Sequence, residues 1–370
     1  MRRALVLFAA LLCGCPPVAP PVLDGGARDD AGAAPAPDGG GSVADGGSLS
    51  VDAGAADGGA IDSGAVDGGA VDGGAVDGGA ADDGGAPVDA GLGAGTLDVQ
   101  WIHGSPSCNQ SGDPPLQVHA YNDDTYVLRQ SKCVNFEGPF LHLLFGEDKV
   151  LLEDTGATSS AAAFPVHDVV EDVIAGWLAA RGRSRDSLEL VVVHSHAHGD
   201  HVAGDGQFQG RPGTTVVGTG VAAVSSFFGL ASWPEETAAY DLGGRVVDVI
   251  PIPGHQASHI ALYDRRTGLL FTGDSLYPGR LYVNDWDAFR ASVARLVAFT
   301  EARPVTWVLG THVEMSSTPG DDYPIGSTYQ PDEHVLQLTR EHLLELDAAL
   351  TLLGNNPMLD VHDDFIVYPL

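Results

Sequence analysis

The stretch "VVVHSHAHGDHVAG", residues 191–204, sets four histidines within eight residues directly after a run of valines. The whole chain has only 14 histidines among its 370 residues. The valines read as the end of a buried β-strand, "LELVVVHSH" at 188–196, because β-branched side chains pack well on a pleated surface. Just past it the spacing is His196-x-His198-x-Asp200-His201. In extended chain, side chains two apart share a face, so His196 and His198 point together. Asp200 and His201 fall on the following turn and can aim at a neighbouring position. Imidazole nitrogen and carboxylate oxygen are the ligand types that suit zinc, and also manganese or ferrous iron. A solvated histidine-rich turn would need no further residues, whereas a metal nest needs ligands from elsewhere in the chain.

Working outward, such candidates stand at the ends of other apolar runs. "PIPGHQASHIALYD" places His255 after a glycine, "LLFTGDSLYPG" places Asp274 after a strand and a glycine, and "WVLGTHVEM" places His312 in the same way. "VLLEDTGAT" offers Asp154 in a similar setting. A scaffold presents functional side chains at just such strand-to-loop junctions.

Taken in order, HxHxDH, GHxxxH, TGD and a late His resemble the metallo-β-lactamase superfamily, over roughly residues 120–315. The resemblance implies an α+β fold: an αββα sandwich of two mixed β-sheets flanked by helices, with a two-metal site at one edge. Carried over, His196, His198 and His255 would bind one metal. Asp200, His201 and His312 would bind the second, and Asp274 would bridge them. Asp154 matches an early Asp that supports the site through hydrogen bonds. The implied cofactors are two Zn2+, with Mn2+ or Fe2+ as alternatives. His194 and His259 read as structural or supporting. His103, His119, His142, His167, His334, His342 and His362 have no motif around them.

The chemistry implied is hydrolysis. Two ions about 3.5–4 Å apart can share a water and lower its pKa toward neutrality. Asp200 and Asp274 would hold the resulting hydroxide, and one could accept its proton, so no Ser, Cys or Lys nucleophile is needed. An Asp at 274 is similar to glyoxalase II thioesterases, lactonases and phosphodiester-cleaving members, whereas true β-lactamases of the superfamily usually carry Cys or Ser there. The expected substrate is a small molecule with an ester-like bond. The alternatives are a mononuclear iron sulfur dioxygenase, a β-lactamase, or a binding protein that keeps the fold without catalysis. The turn-rich stretch 318–334 is long enough to reach the site, which makes Tyr323 and Tyr329 candidates for substrate contact. Arg280 could meet a substrate anion or form a salt bridge.

Other segments complete the outline. Strands are expected at 125–130, 140–146, 149–156, 214–219, 245–253, 260–264, 269–274 and 305–312, with a tight turn at Gly146-Glu147-Asp148. Helices are expected near 168–181, 286–302 and 332–353, and "FIVYPL" is expected to close the chain as an edge strand.

The N-terminal quarter differs in kind. Residues 16–95 carry fourteen Asp and one Arg, which gives −13 of the formal −32, and no aromatic residue. "AVDGGAVDGGAVDGGA" at 65–80 repeats every five residues. Such a chain buries too little apolar surface to offset its ordering entropy and reads as a disordered linker. As a coil, about 80 residues span on the order of 50 Å. Ahead of it, "MRRALVLFAALLCGC" has a basic start and a short apolar run, and it resembles a lipoprotein signal ending at Cys15, or less favourably Cys13. The expected organisation is therefore a signal at 1–15, a linker at 16–96 and a hydrolase domain at 97–370. The domain would be lipid-anchored in the cell envelope, periplasmic or at the cell surface, touching membrane only through its N-terminal anchor. In an exported domain, Cys108 and Cys133 are expected to form a disulfide, worth about 3–4 kcal/mol for a loop of this length. With 18 Lys and Arg against 50 Asp and Glu, and no dense basic run, nucleic acid is not an expected partner. The sequence carries no sign of an oligomeric state.

Overall fold

A computed structural model describes residues 92–370; the signal segment and all but the last few residues of the linker lie outside the described residues. From its N-terminal side the chain builds one sheet by neighbouring hairpins: β1 (Leu116–Asn122), β2 (Thr125–Gln130), β3 (Phe140–Phe145) and β4 (Lys149–Glu153). Helix α1 (Val166–Ala180) then crosses over to β5 (Glu189–Val193), parallel to β4. A single turn, α2 (Gly199–Val202), precedes β6 (Thr214–Val216), parallel to β5. The six strands run in sequence order across a mixed sheet.

The second sheet follows α3 (Val221–Phe228) and contains β7 (Ala238–Asp241), β8 (Val246–Pro251), β9 (Ile260–Asp264) and β10 (Leu269–Gly273). Strand β11 (Arg280–Val283) leaves it, and α4 (Trp286–Thr300) returns to β12 (Trp307–Gly310), parallel to β10. The two-residue β13 (Gln337–Leu338), helix α5 (Arg340–Leu353), β14 (Asp360–Val361) and β15 (Ile366–Pro369) complete the chain. The second sheet is ordered β13-β12-β10-β9-β8-β7, and a small third sheet is ordered β11-β15-β14.

Three apolar layers explain the architecture. Between the sheets, Val127, Leu144, Leu151 and Val191 meet Val249, Leu262, Phe271 and Leu309. On the outer side of the first sheet, Leu143, Leu152 and Val192 pack on Val170, Ile174 and Trp177 of α1. On the outer side of the second, Ile250, Leu270 and Val308 pack on Phe289 and Leu296 of α4 and Leu343 and Leu346 of α5. This is the expected αββα sandwich. Strands β3, β9 and β10 are buried at every position, which is why their sequences are mostly apolar rather than alternating; among the polar exceptions, His142 and Asp264 are paired with Glu153 and Arg245.

Two expectations fail. The helix expected from residue 332 begins only at Arg340, because the Thr339 hydroxyl accepts from Glu341 N at 3.2 Å and the His342 ring accepts from Thr339 N at 3.0 Å, a capping box that defines the start. The residues before it run irregularly into β13. "FIVYPL" is also no edge: β15 lies between β11 and β14. Its parallel partner β11, "RLYV", is too short and mixed to stand out as a strand. Strands β1 and β7 and helix α3 were likewise not anticipated. Cys108 and Cys133 are joined by a disulfide with S–S 2.18 Å, as expected.

Candidate metal centre

Strands β4, β5, β8, β10 and β12 all end at one edge of the sandwich, and each chain segment leaving that edge carries a titratable side chain: Asp154 after β4, the His196–His201 segment after β5, His255 after β8, Asp274 after β10 and His312 after β12. Two of these exits depend on glycine. Gly254 and Gly273 hold φ of 141° and 49°, and a Cβ on Gly273 would lie 2.4 Å from His259 Nε2. Only glycine allows both the backbone turn and the close approach.

The side chains converge in two groups. His196, His198, His255 and Asp274 form one, and Asp200, His201, Asp274 and His312 form the other, each with its ligand atoms within 4.8 Å of one another. Four donors about 2.0–2.1 Å from a tetrahedral ion stand about 3.4 Å apart. In the first group His196 Nε2 and His255 Nε2 are 3.2 Å apart, His255 Nε2 and His198 Nδ1 3.0 Å, and His255 Nε2 and Asp274 Oδ2 3.4 Å. In the second, Asp200 Oδ2 lies 3.3 Å from both His201 Nε2 and His312 Nε2, which are 3.5 Å from each other. Asp274 approaches His201 and His312 at 3.5 Å as well. The donor types and spacings fit two ions sharing Asp274.

At His201, His255 and His196 the ring nitrogens facing away are also committed. His201 Nδ1 donates to Asp154 Oδ2 at 2.8 Å, and His255 Nδ1 donates to the Tyr282 carbonyl at 2.7 Å. Ser195 Oγ gives its proton to Asp154 Oδ2 at 2.8 Å and therefore accepts from His196 Nδ1 at 3.1 Å. In the neutral ring, each such bond fixes the tautomer whose Nε2 is the free acceptor toward the group. Asp154 itself is outside both groups, with φ 68°, a conformation held by its bonds to Ser195 and His201.

Burial pushes the His196 and His198 imidazoles below their usual range, reinforced by His201 and His255 respectively. At His201, burial acts the same way, but Asp274 and Asp154 outweigh it and raise the pKa well above normal. At His312, Asp274 and Asp200 likewise overcome burial and raise it to about 9. Burial alone would raise the Asp200 and Asp274 carboxyls, yet the His201 and His312 imidazoles hold both below the carboxylate range. Without metal, the second group therefore stores protons that an ion would displace.

A family model described as the metallo-beta-lactamase superfamily matches residues 138–354, more than half of the chain. The chain belongs to the metallo-beta-lactamase superfamily. A hydroxyacylglutathione hydrolase of Rhizobium meliloti (strain 1021) is 32% identical over 160 residues, covering 41% of this chain and 57% of that relative. One from Cereibacter sphaeroides is 30% identical over 187 residues, 47% of this chain and 69% of the relative. One from Methylococcus capsulatus is matched over 56% of its length, so the chain spans a little over half of this relative and of the Rhizobium one. Among solved structures, a metallo-beta-lactamase from Pontibacter korlensis is similar with a TM-score of 0.42 at 17% identity, over 64% of this chain and 99% of that one.

In this superfamily member the two groups open on a cavity of about 190 Å3 lined also by Glu137, Tyr277, Tyr282, Asn284 and Glu314. None of these five was singled out from the sequence, since none sits in a spaced motif; only Glu314 had a signal, two residues past His312. Asn284 Nδ2 donates to the His255 carbonyl at 2.7 Å and steadies that exit. A second cavity of about 230 Å3 adjoins the first through Glu137, Tyr282 and Glu314. Tyr323 lines this annex, whereas Tyr329 lines neither cavity and packs beside His103, with ring centroids 5.7 Å apart. Arg280 is buried, ion-paired with Glu314 at 3.2 Å and Asp322 at 2.5 Å. That salt bridge, not a free guanidinium, is its role. His194 turns away from both groups, its Nε2 donating to Asp205 Oδ1 at 2.8 Å. His259 is buried behind His196, ring centroids 4.7 Å apart.

Proposed function

We propose that the protein is a two-zinc hydrolase that cleaves an ester-like bond, a thioester or lactone, in a small molecule. The observation that carries this reading is that Asp274 belongs to both donor groups and lines the cavity beside them. Ions bound there would acidify a shared water and polarise the substrate carbonyl. The chain's own residues do the rest. Asp154, Ser195 and the Tyr282 carbonyl orient the imidazoles, and Asp274 holds the two groups in register. Asp200, partly exposed at the cavity, is placed to accept a proton from the attacking water. The hydroxyacylglutathione hydrolase relatives support thioesters within the ester-like class. The complete second group favours two metals over a single iron and hence hydrolysis over sulfur oxidation.

Residues 97–370 form the hydrolase domain in this reading. The lipoprotein-like segment 1–15 and the acidic linker 16–96 support a tethered enzyme in the cell envelope. The test is a panel of thioesters, lactones, β-lactams and phosphodiesters offered to zinc-loaded and metal-stripped protein. Metal-dependent turnover of a thioester or lactone is expected, with most of it lost in Asp274→Ala. Turnover confined to phosphodiesters, or full activity in metal-replete Asp274→Ala, contradicts the proposal.

A further inference from the structure

We propose that Glu137 binds a positively charged, hydrogen-bond-donating group on the leaving half of the substrate, so that the enzyme selects cationic over anionic thioesters or esters. The inference deepens the hydrolytic reading above and rests on it. Glu137 lines both cavities and so stands where they join, beyond the metal ligands. It is only partly exposed, and among the described residues its carboxylate makes neither a hydrogen bond nor an ion pair; its backbone alone is bonded, the carbonyl accepting from His312 Nδ1 at 3.3 Å. A half-buried carboxylate without a partner costs free energy that an incoming cation would return.

The cations nearby do not fill that role. Arg280 is consumed by Glu314, Asp322 and the Tyr323 carbonyl. Lys132 is buried, and its Nζ donates to the Phe136 and Glu137 carbonyls at 3.2 and 3.4 Å, not to the Glu137 carboxylate. Burial and the Arg129 guanidinium lower its pKa to about 8, so near neutral pH it keeps its charge, and that charge is spent on the two carbonyls. A second acceptor in the annex is also unanswered. Gln330 is 4% exposed, and its Oε1 is buried with no donor. The lining of the metal cavity contains no Lys or Arg at all. Any positive charge of bound metal acts at the reacting carbonyl, while the partly exposed Glu137 carboxylate faces the part of the substrate that does not react. An anionic leaving group such as a peptide with free carboxylates would find repulsion there.

The experiment compares two thioesters of one acyl group, made from 2-(dimethylamino)ethanethiol and from 3-mercaptopropionate, on the zinc-loaded protein. The wild type should favour the ammonium thioester by about tenfold in kcat/KM, the worth of one partly buried charge pair. Glu137→Gln should bring that ratio near one, and Glu137→Lys should invert it. A structural role would lower both substrates together and leave the ratio unchanged, which overturns the assignment, as does a wild type that prefers the carboxylate or neither. Calorimetric binding of the two uncleavable thioether analogues gives an independent reading. Preference in binding without cleavage of either thioester removes the hydrolytic reading and keeps Glu137's role. Cleavage of both without preference does the reverse.

Discussion

Asp154 shows how one buried carboxylate can govern a site it does not join. Its Oδ1 takes the Ser195 N–H, and its Oδ2 takes the Ser195 hydroxyl and the His201 ring N–H, all at 2.8 Å. An amide in its place can still accept at one atom but offers N–H where His201 and Ser195 need an acceptor. Asp154→Asn should therefore weaken binding of the ion held by His201 by about 10–100-fold, read by competition with a chelator of known affinity. Unchanged affinity would mean the His201 tautomer does not depend on Asp154. Asp154 was legible in the sequence because it closes an apolar strand, as do the three later candidate ligands. Glu137 was not, because its place beside the metal cavity arises from a loop between β2 and β3 folding back onto the segment after β12, a contact 175 residues apart in sequence.

At the level of elements, the strand ends were readable and the connections were not. Runs such as "LLFTG" and "WVLG" announce buried strands by composition alone. Strand β11 and the two-residue β13 hold their places through pairing with distant partners, and nothing local marks them. The start of α5 was misread because Val335 and Leu336 continue an apolar spacing that Thr339 then interrupts with its cap. The loop carrying Glu137 is tied by the Cys108–Cys133 disulfide to the single turn at Cys108–Gln110. Replacing both cysteines with serine should lower unfolding stability by about 3–4 kcal/mol in denaturant titration. A loss below about 1 kcal/mol would show that the loop is held by its other contacts.

Across the whole molecule, the two sheets are joined at both ends by different chemistry. At the end away from the metal centre, buried Arg245 bonds both Asp264 oxygens at 3.0 and 2.7 Å and also reaches Thr125 Oγ1 and the Phe145 carbonyl on the other sheet. Arg245→Ala leaves the buried Asp264 carboxylate without its ion pair, held only by Arg266 and Thr267, and should cost about 3–5 kcal/mol while leaving metal content unchanged. Loss of metal together with stability would show that the two ends are coupled. At the metal end, stability and metal binding are linked through protons. The His312 pKa in the folded, metal-free protein, about 9, exceeds the ordinary 6.5. Its stabilisation of that form is therefore full below 6.5 and lost as pH rises through 9. His201 shifts in the same direction. Metal binding at pH 7 should release about two protons, one from each ring, a number read by calorimetry in buffers of different ionisation heat. Release of none would contradict the charge states assigned to these histidines.

The pairing of two donor groups through Asp274 is tested most directly by counting ions. Metal-stripped protein titrated with Zn2+ and analysed for bound metal should saturate at two ions per chain, falling to one or fewer in Asp274→Ala. Saturation of the wild type at one ion per chain would contradict the two-metal centre.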